Sequence, residues 1–208
     1  MKKFVVGLLL MVIIVDMFCP SEAWWGSRRR SRRRSPPPPP PPPPPCNLKM
    51  KHHGWKNDFD GHLKFKCSPG EAIRKVQSIY SSCARDRVFK FGCASNRYTK
   101  KMKKCDWSQH WINDWDKPIV FMCPNHGFMA GIESYHDSYY EDRRFKFYCC
   151  HSYWHHVHFC KTSSYVNNWR SEINFWVPRN RFIVGATSFH NGNDKEDRRW
   201  KFIHCKVY

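Results

Sequence analysis

Along three stretches of the chain, apolar and polar positions alternate with a period of two. Phe89, Phe91 and Cys93 fall on one face of an extended segment, with Val88, Lys90 and Gly92 on the other. The pattern returns at Phe145, Phe147 and Cys149 against Arg144, Lys146 and Tyr148, and again where Lys201 separates Trp200 from Phe202. Successive side chains of a strand point to opposite faces, so each run predicts a strand with one buried and one open side. Each run also opens on the same dipeptide: Asp86-Arg87, Asp142-Arg143 and Asp197-Arg198, spaced 56 and 55 residues apart.

The repetition extends upstream. Trp55-Lys56-Asn57-Asp58-Phe59-Asp60 matches Trp111-Ile112-Asn113-Asp114-Trp115-Asp116, with a weaker echo in Asn167-Asn168-Trp169. Phe65-Lys66-Cys67-Ser68-Pro69 matches Phe121-Met122-Cys123-Pro124, and Phe175-Trp176-Val177-Pro178 follows with the Cys lost. Ser78, Ser134 and Ser188 fall in register, and Gly70, Gly127 and Gly185 lie near expected strand starts or bulges. A unit of about 55 residues used three times implies one domain with pseudo-threefold symmetry. Its repeats are expected at about 55–93, 111–150 and 169–205 of a domain spanning 46–208. A β-prism or a β-trefoil accommodates three such units.

Composition supports the all-β reading. After residue 23 the chain carries 32 aromatic residues but only 18 Leu, Ile and Val. Aromatic and β-branched residues suit half-buried strands, and a core so poor in Leu is not a helical bundle.

The ends set the compartment. Lys2 and Lys3 precede an apolar stretch from Phe4 to Val15, and Ser21-Glu22-Ala23 fits a small-residue cleavage site. Residues 1–23 therefore read as a secretory signal peptide, too short to span a membrane. Its removal leaves ten cysteines, an even number, which predicts a secreted protein with up to five disulfides. Residues 24–45 form a tail: Arg28, Arg29, Arg30, Arg32, Arg33 and Arg34, then ten prolines from Pro36 to Pro45. Such a run favours a polyproline II rod of ~31 Å, at about 3.1 Å per residue.

Charge then points to partners. From Cys46 onward the chain carries a formal +13. A secreted protein meets little nucleic acid; the abundant polyanions outside cells are sulfated glycosaminoglycans, acidic polysaccharides and anionic cell surfaces. Lys90, Lys146 and Lys201 occupy one outward-facing position in the three repeats, with Arg144 and Arg199 two residues before the last two. A threefold basic set of this kind would bind a sulfated chain multivalently.

Other residues suggest chemistry that the repetition argues against. Asp86, Arg87, Asp142, Arg143, Asp197 and Arg198 occur as three equivalent pairs, whereas catalysis needs one site. They read as structural, each Arg fork clasping the carboxylate of its own pair and nearby carbonyls at the start of a strand. The carboxylates Asp58/Asp60 and Asp114/Asp116 have glycosidase-like proximity, but the third repeat carries Asn168, so they read as turn residues. His151, His155, His156 and His158 cluster without the helical context of a metal motif, so neither a metal nor any other cofactor is expected. No enzyme activity follows.

The repeated Asp-Arg-x-aromatic-x-Phe, the pair Cys149-Cys150 after Phe145-Lys146-Phe147-Tyr148, and Gly185-Ala186-Thr187 ahead of Asp197-Arg198-Arg199-Trp200-Lys201-Phe202-Ile203-His204-Cys205 resemble the dermatopontin family. The resemblance covers roughly Trp55 to Lys206. It implies a small, disulfide-rich extracellular matrix protein, without enzyme activity, that binds proteoglycans and collagen fibrils and supports cell adhesion. Invertebrate relatives include haemagglutinins that aggregate blood cells and shell-matrix proteins. The resemblance also implies bridges Cys67–Cys93, Cys105–Cys149, Cys123–Cys150 and Cys160–Cys205, and leaves Cys46 and Cys83 to each other. Internal symmetry offers an alternative in which Cys123 pairs with Cys149, mirroring Cys67 and Cys93. Two other readings stay open: a lectin using Trp107, Trp111 or Trp154 as sugar platforms, and a structural component of fibril or shell matrix.

Overall fold

Each copy of the repeated motif forms the second strand of a long antiparallel hairpin. The computed structural model describes residues 46–208; the expected signal peptide, the arginine tract and the proline run lie outside them. The strands in chain order are β1 (Leu63–Lys66), β2 (Ala72–Ser81), β3 (Asp86–Ala94), β4 (Lys104–Trp107), β5 (Ile119–Met122), β6 (Phe128–Asp137), β7 (Asp142–His151), β8 (Val157–Thr162), β9 (Ile173–Trp176), β10 (Arg181–Asn191) and β11 (Asp197–Val207). Among the described residues helix is confined to two short 3-10 turns, Lys51–His53 and Thr99–Lys101. The hairpins are β2–β3, β6–β7 and β10–β11, each in a separate sheet: the last two are the central pairs of four-stranded sheets, whereas β2–β3 with β9 makes a three-stranded sheet with β3 at its edge.

The sheets are interlocked cyclically. Each short strand leaves its own repeat and pairs with the next hairpin: β1 on β6, β5 on β10, and β9 back on β2. At these crossings Leu63 faces Ser134, Ile119 faces Ser188 and Ile173 faces Ser78, all of them buried. The in-register serines are thus the small residues on which the crossing strands close. Where the crossing chain comes nearest, β6 and β10 each carry a bulge and a glycine. A Cβ on Gly131 would lie 2.6 Å from the Phe65 carbonyl oxygen, and one on Gly185 2.4 Å from that of Phe121, so neither position tolerates a side chain.

The inward aromatic residues of the three hairpins fill a common core. Phe89, Phe145, Phe147, Trp200 and Phe202 are buried, and Phe65, Phe121 and Phe175 stack on Phe91, Phe147 and Phe202 at 4.8–5.3 Å between ring centres. A second buried cluster, including Met102, Phe128, Val157, Phe182 and Val207, closes the end opposite the hairpin tips. A third, of Phe59, Ala84 and Val88 with Leu48, Met50 and Trp55 against it, belongs to the first repeat. There Val88 stands where the other repeats have Arg144 and Arg199, and the N-terminal segment covers it.

Five disulfides clasp this frame: Cys46–Cys83, Cys67–Cys93, Cys105–Cys150, Cys123–Cys149 and Cys160–Cys205. Two of them correct the pairing that the family resemblance implies, which joined Cys105 to Cys149 and Cys123 to Cys150. The reason lies in the strand. Adjacent residues point to opposite faces, so Cys149 enters the central core beside Cys123 while Cys150 lies opposite Cys105 in the β4–β7 register. The arrangement follows the repeat: Cys67–Cys93 and Cys123–Cys149 both span 26 residues, and Cys105–Cys150 and Cys160–Cys205 both span 45.

Candidate functional site

At the hairpin tips the Asp-Arg dipeptides meet, but not within their own pairs. The Arg143 fork donates to both carboxylate oxygens of Asp86, at 2.6 Å each, and to the Gly61 carbonyl. Arg198 holds Asp142 at 2.7 and 2.6 Å and the Lys117 carbonyl, and Arg87 closes the circuit on Asp197 at 2.6 and 2.8 Å with the Ser171 carbonyl. The pairing expected within each dipeptide is therefore corrected: neighbouring strand residues diverge, and each carboxylate reaches the guanidinium of the next repeat. Each aspartate also accepts a backbone N–H from a turn residue with positive φ, namely Asp60, Asp116 or Arg170. All six side chains are buried, with every positive charge matched. The circuit encloses a cavity of about 20 Å³ above Phe89, Phe145 and Trp200, room for one water-sized molecule and far too small for a sugar.

Sequence reasoning passed over the asparagines that support this circuit. Asn57, Asn113 and Asn167 each donate to the carbonyl of Arg87, Arg143 or Arg198 and accept the N–H of Phe89, Phe145 or Trp200. Their signal was present, since all three fall in matching stretches.

Two histidines reinforce two of the three junctions. His190 bonds Asp116 at 2.7 Å, and the buried His136 lies 3.3 Å from Asp60. At the third junction Tyr80 and Arg170 take their places, the guanidinium 6.0 Å from the ring centre. Burial raises the Asp60 and Glu141 carboxyls above their ordinary range, with the His136 charge opposing, and burial likewise raises the Tyr80 phenol. Asp60, Asp86 and His136, and Asp116, Asp142 and His190, approach one another closely enough to share a cation. In both groups the buried carboxylate, Asp86 or Asp142, already has both oxygens held by arginine. The His151–His158 segment contributes to neither group; His158 and its neighbours Phe159 and Cys160 lie on the exposed strand β8.

The lysines expected to form a threefold set lie on three different sheets, each over an aromatic ring. Lys90 is 4.8 Å from the Trp55 ring centre, Lys146 5.1 Å from Trp111, and Lys201 4.4 Å from Tyr165. Arg144 lies over Trp111 and Trp115, and Arg199 over Tyr165 at 3.9 Å. All five are half-buried, not freely solvated. Trp107 packs against Tyr148 with Lys66 above both, and Trp154 is 87% exposed.

At the end opposite the circuit, the linkers between repeats gather. The 3-10 turn and its flanks present Arg97, Lys100, Lys101, Lys103 and Lys104 to solvent. Lys104 sits 3.9 Å above the Tyr153 ring, and its ammonium lowers the Tyr153 phenol from its ordinary value.

The comparisons with known proteins follow these features. The family described as Dermatopontin matches residues 57–208, so the chain belongs to the dermatopontin family, a non-enzymatic class. It is 39% identical over 155 residues to the hemagglutinin/amebocyte aggregation factor of Limulus polyphemus, covering 74% of this chain and 87% of that protein. It is 37% identical over 142 residues to dermatopontin of Biomphalaria glabrata, covering 68% and 93%, and 28% identical over 159 residues to dermatopontin of Homo sapiens, covering 74% and 77%. No solved structure matches.

Proposed function

We propose that the protein is a secreted adhesion molecule of the extracellular matrix that binds acidic polysaccharide, such as the sulfated chains of proteoglycans, through its basic surface. The observation that carries this reading is the set of cations seated over aromatic rings on three separate sheets: Lys90, Lys146 with Arg144, and Lys201 with Arg199. A cation held over a ring is already oriented, which lowers the entropy lost on binding a sulfate. Since the platforms belong to different sheets, one molecule contacts several chains and links them, which fits the aggregation named for the Limulus relative. Collagen fibrils and cell-surface glycans are further partners of the same kind of surface. Retention on a heparin column tests the reading. Elution is expected to move steeply to lower retention as salt rises, because contacts between exposed charges are screened within about 8 Å at physiological ionic strength.

A lectin reading has its own observation. A groove of about 430 Å³ runs between Trp107 and Met122, bordered by Asp106, Gln109, His110 and Asn125. An indole wall with amide, imidazole and carboxylate groups suits a neutral sugar ring. Salt-insensitive agglutination that a neutral monosaccharide inhibits would decide for this groove.

A further inference from the structure

We infer that the end of the domain opposite the Asp–Arg circuit is a distinct docking pole for an extended sulfated polysaccharide chain. The inference rests on the polyanion reading above but locates a site separate from the sheet-face platforms.

Three segments build this pole: 94–104, 150–163 and 203–208. None contains Asp or Glu. In space they touch. Tyr98 packs on His155 at 5.6 Å, Lys104 covers Tyr153, Asn96 donates its amide to the Val207 carbonyl, and Tyr208 stacks on His158 at 5.0 Å. Buried Met102, Val157 and Val207 anchor the segments from beneath, and Cys105–Cys150 and Cys160–Cys205 tie their strands together. The backbone that carries Arg97, Lys100, Lys101, Lys103, Lys104 and Lys206 is thus fixed before any ligand arrives, and each of these side chains is exposed. Preorganised charge of one sign raises affinity by reducing what must be ordered on binding.

The distribution of acids sharpens the point. Asp60, Asp116, Glu141 and Glu196 flank the circuit at the far end, and the acids nearest the pole are Glu71, next to the glycine that packs on Lys100, and Asp106, two residues beyond Lys104. The segments of the pole therefore carry cations in excess of the few acids beside them.

Shape selects the class of ligand. The cations are all exposed, which fits a polymer with charges at intervals and not a small enclosed anion. Tyr153 and Trp154, 70% and 87% exposed, offer ring faces to sugar.

The test compares two variants of the secreted, disulfide-bonded protein with equal change of charge. One carries Lys100→Glu, Lys101→Glu and Lys103→Glu at the pole; the other carries Lys49→Glu, Lys51→Glu and Lys117→Glu near the circuit. Both alter exposed side chains, and matching thermal midpoints check folding. At about 0.15 M salt, the pole variant is expected to bind heparin and dextran sulfate at least about tenfold more weakly, each reversed charge weakening a surface contact. The control variant should bind like the parent. Equal losses would reduce the effect to net charge and overturn the pole. So would loss of binding only in a third variant, Lys90→Ala/Lys146→Ala/Lys201→Ala, which would leave the sheet faces as the site. Tighter binding to vesicles of anionic phospholipid than to either polymer would replace the polysaccharide with a membrane. A parent protein that binds no sulfated polymer would remove the underlying reading itself.

Discussion

The two ends of the domain handle charge in opposite ways. At the hairpin tips, six buried ionic side chains from three repeats converge, and each carboxylate meets the next repeat's guanidinium within 2.8 Å. At the other end, Arg97 and four lysines stand exposed in a stretch without an acid. The difference arises from the repetition. The inward-facing Asp and Arg of all three copies are locked into contacts with the other copies, whereas the linkers differ between copies and are free to carry a surface. The inward half of the repeated motif builds the frame, and the proposed ligand contacts lie on its outward face and in the linkers.

The sharpest way to break that comparison is to open the circuit. Arg143→Ala should lower stability by about 3–5 kcal/mol, the cost of leaving a buried charge without its partner. The stranded carboxylate is Asp86, with Asp142 still held by Arg198. A double-mutant cycle on denaturation midpoints should give strong coupling between positions 143 and 86 and little between 143 and 142. The fraction that folds should bind heparin with the parent's affinity. A well-folded Arg143→Ala protein that no longer binds would make the circuit a ligand site and erase the distinction between the ends.

A smaller effect is expected from the bridges, and it differs by end. Cys105→Ser/Cys150→Ser should cost about 2–4 kcal/mol by relaxing the unfolded chain, and should also weaken heparin binding, because the bridge holds the Lys104 strand to β7. Cys46→Ser/Cys83→Ser, which opens the bridge at the β2–β3 hairpin tip, should cost a similar amount of stability with no loss of affinity. Peptide mapping of the parent is expected to recover Cys105 with Cys150 and Cys123 with Cys149; peptides joining Cys105 to Cys149 would contradict this geometry.

Much of the frame was legible in the sequence. Alternation around Phe89, Phe145 and Trp200 marked the long strands, and the even cysteine count after residue 23 anticipated five bridges. The cyclic exchange was not legible, because β1, β5 and β9 have four residues each and nothing in them says which hairpin they join. The Arg143–Asp86 pair was hidden for the same reason: its partners lie 57 positions apart, while the adjacent Asp142 looked like the nearer choice. The alternation did contain the answer for Cys149 and Cys150, since the neighbours of Phe147 and Tyr148 inherit their opposite faces. The basic pole escaped because Arg97 to Lys104 acquires its meaning only when the His151–His158 segment and the C-terminus are brought beside it.

The mildest effect concerns His204, which stands in the third repeat where the others have Cys93 and Cys149, opposite Val177 in place of a bridging cysteine. Burial lowers its pKa below the ordinary 6.5, with the Arg181 and Lys161 charges acting in the same direction. Above that value both folded and unfolded chains carry the imidazole neutral, and its contribution to stability is fully present. As pH falls below 6.5 the unfolded chain takes up the proton first, so stability is lost progressively until the folded imidazole titrates as well. Asp60 and Glu141 act in the opposite sense and at lower pH. Their raised carboxyls, whose ordinary values are 3.8 and 4.5, favour the folded state when protonated and lose that advantage as pH rises through and above those values. Thermal midpoints of the parent and His204→Gln, taken from pH 7.5 down to 5, separate the two. The parent should lose more stability than the variant between about pH 6.5 and 5.5. Parallel curves would mean that the imidazole is solvated as freely in the folded chain as in the unfolded one, and that the third repeat is closed by something other than this packed, neutral side chain.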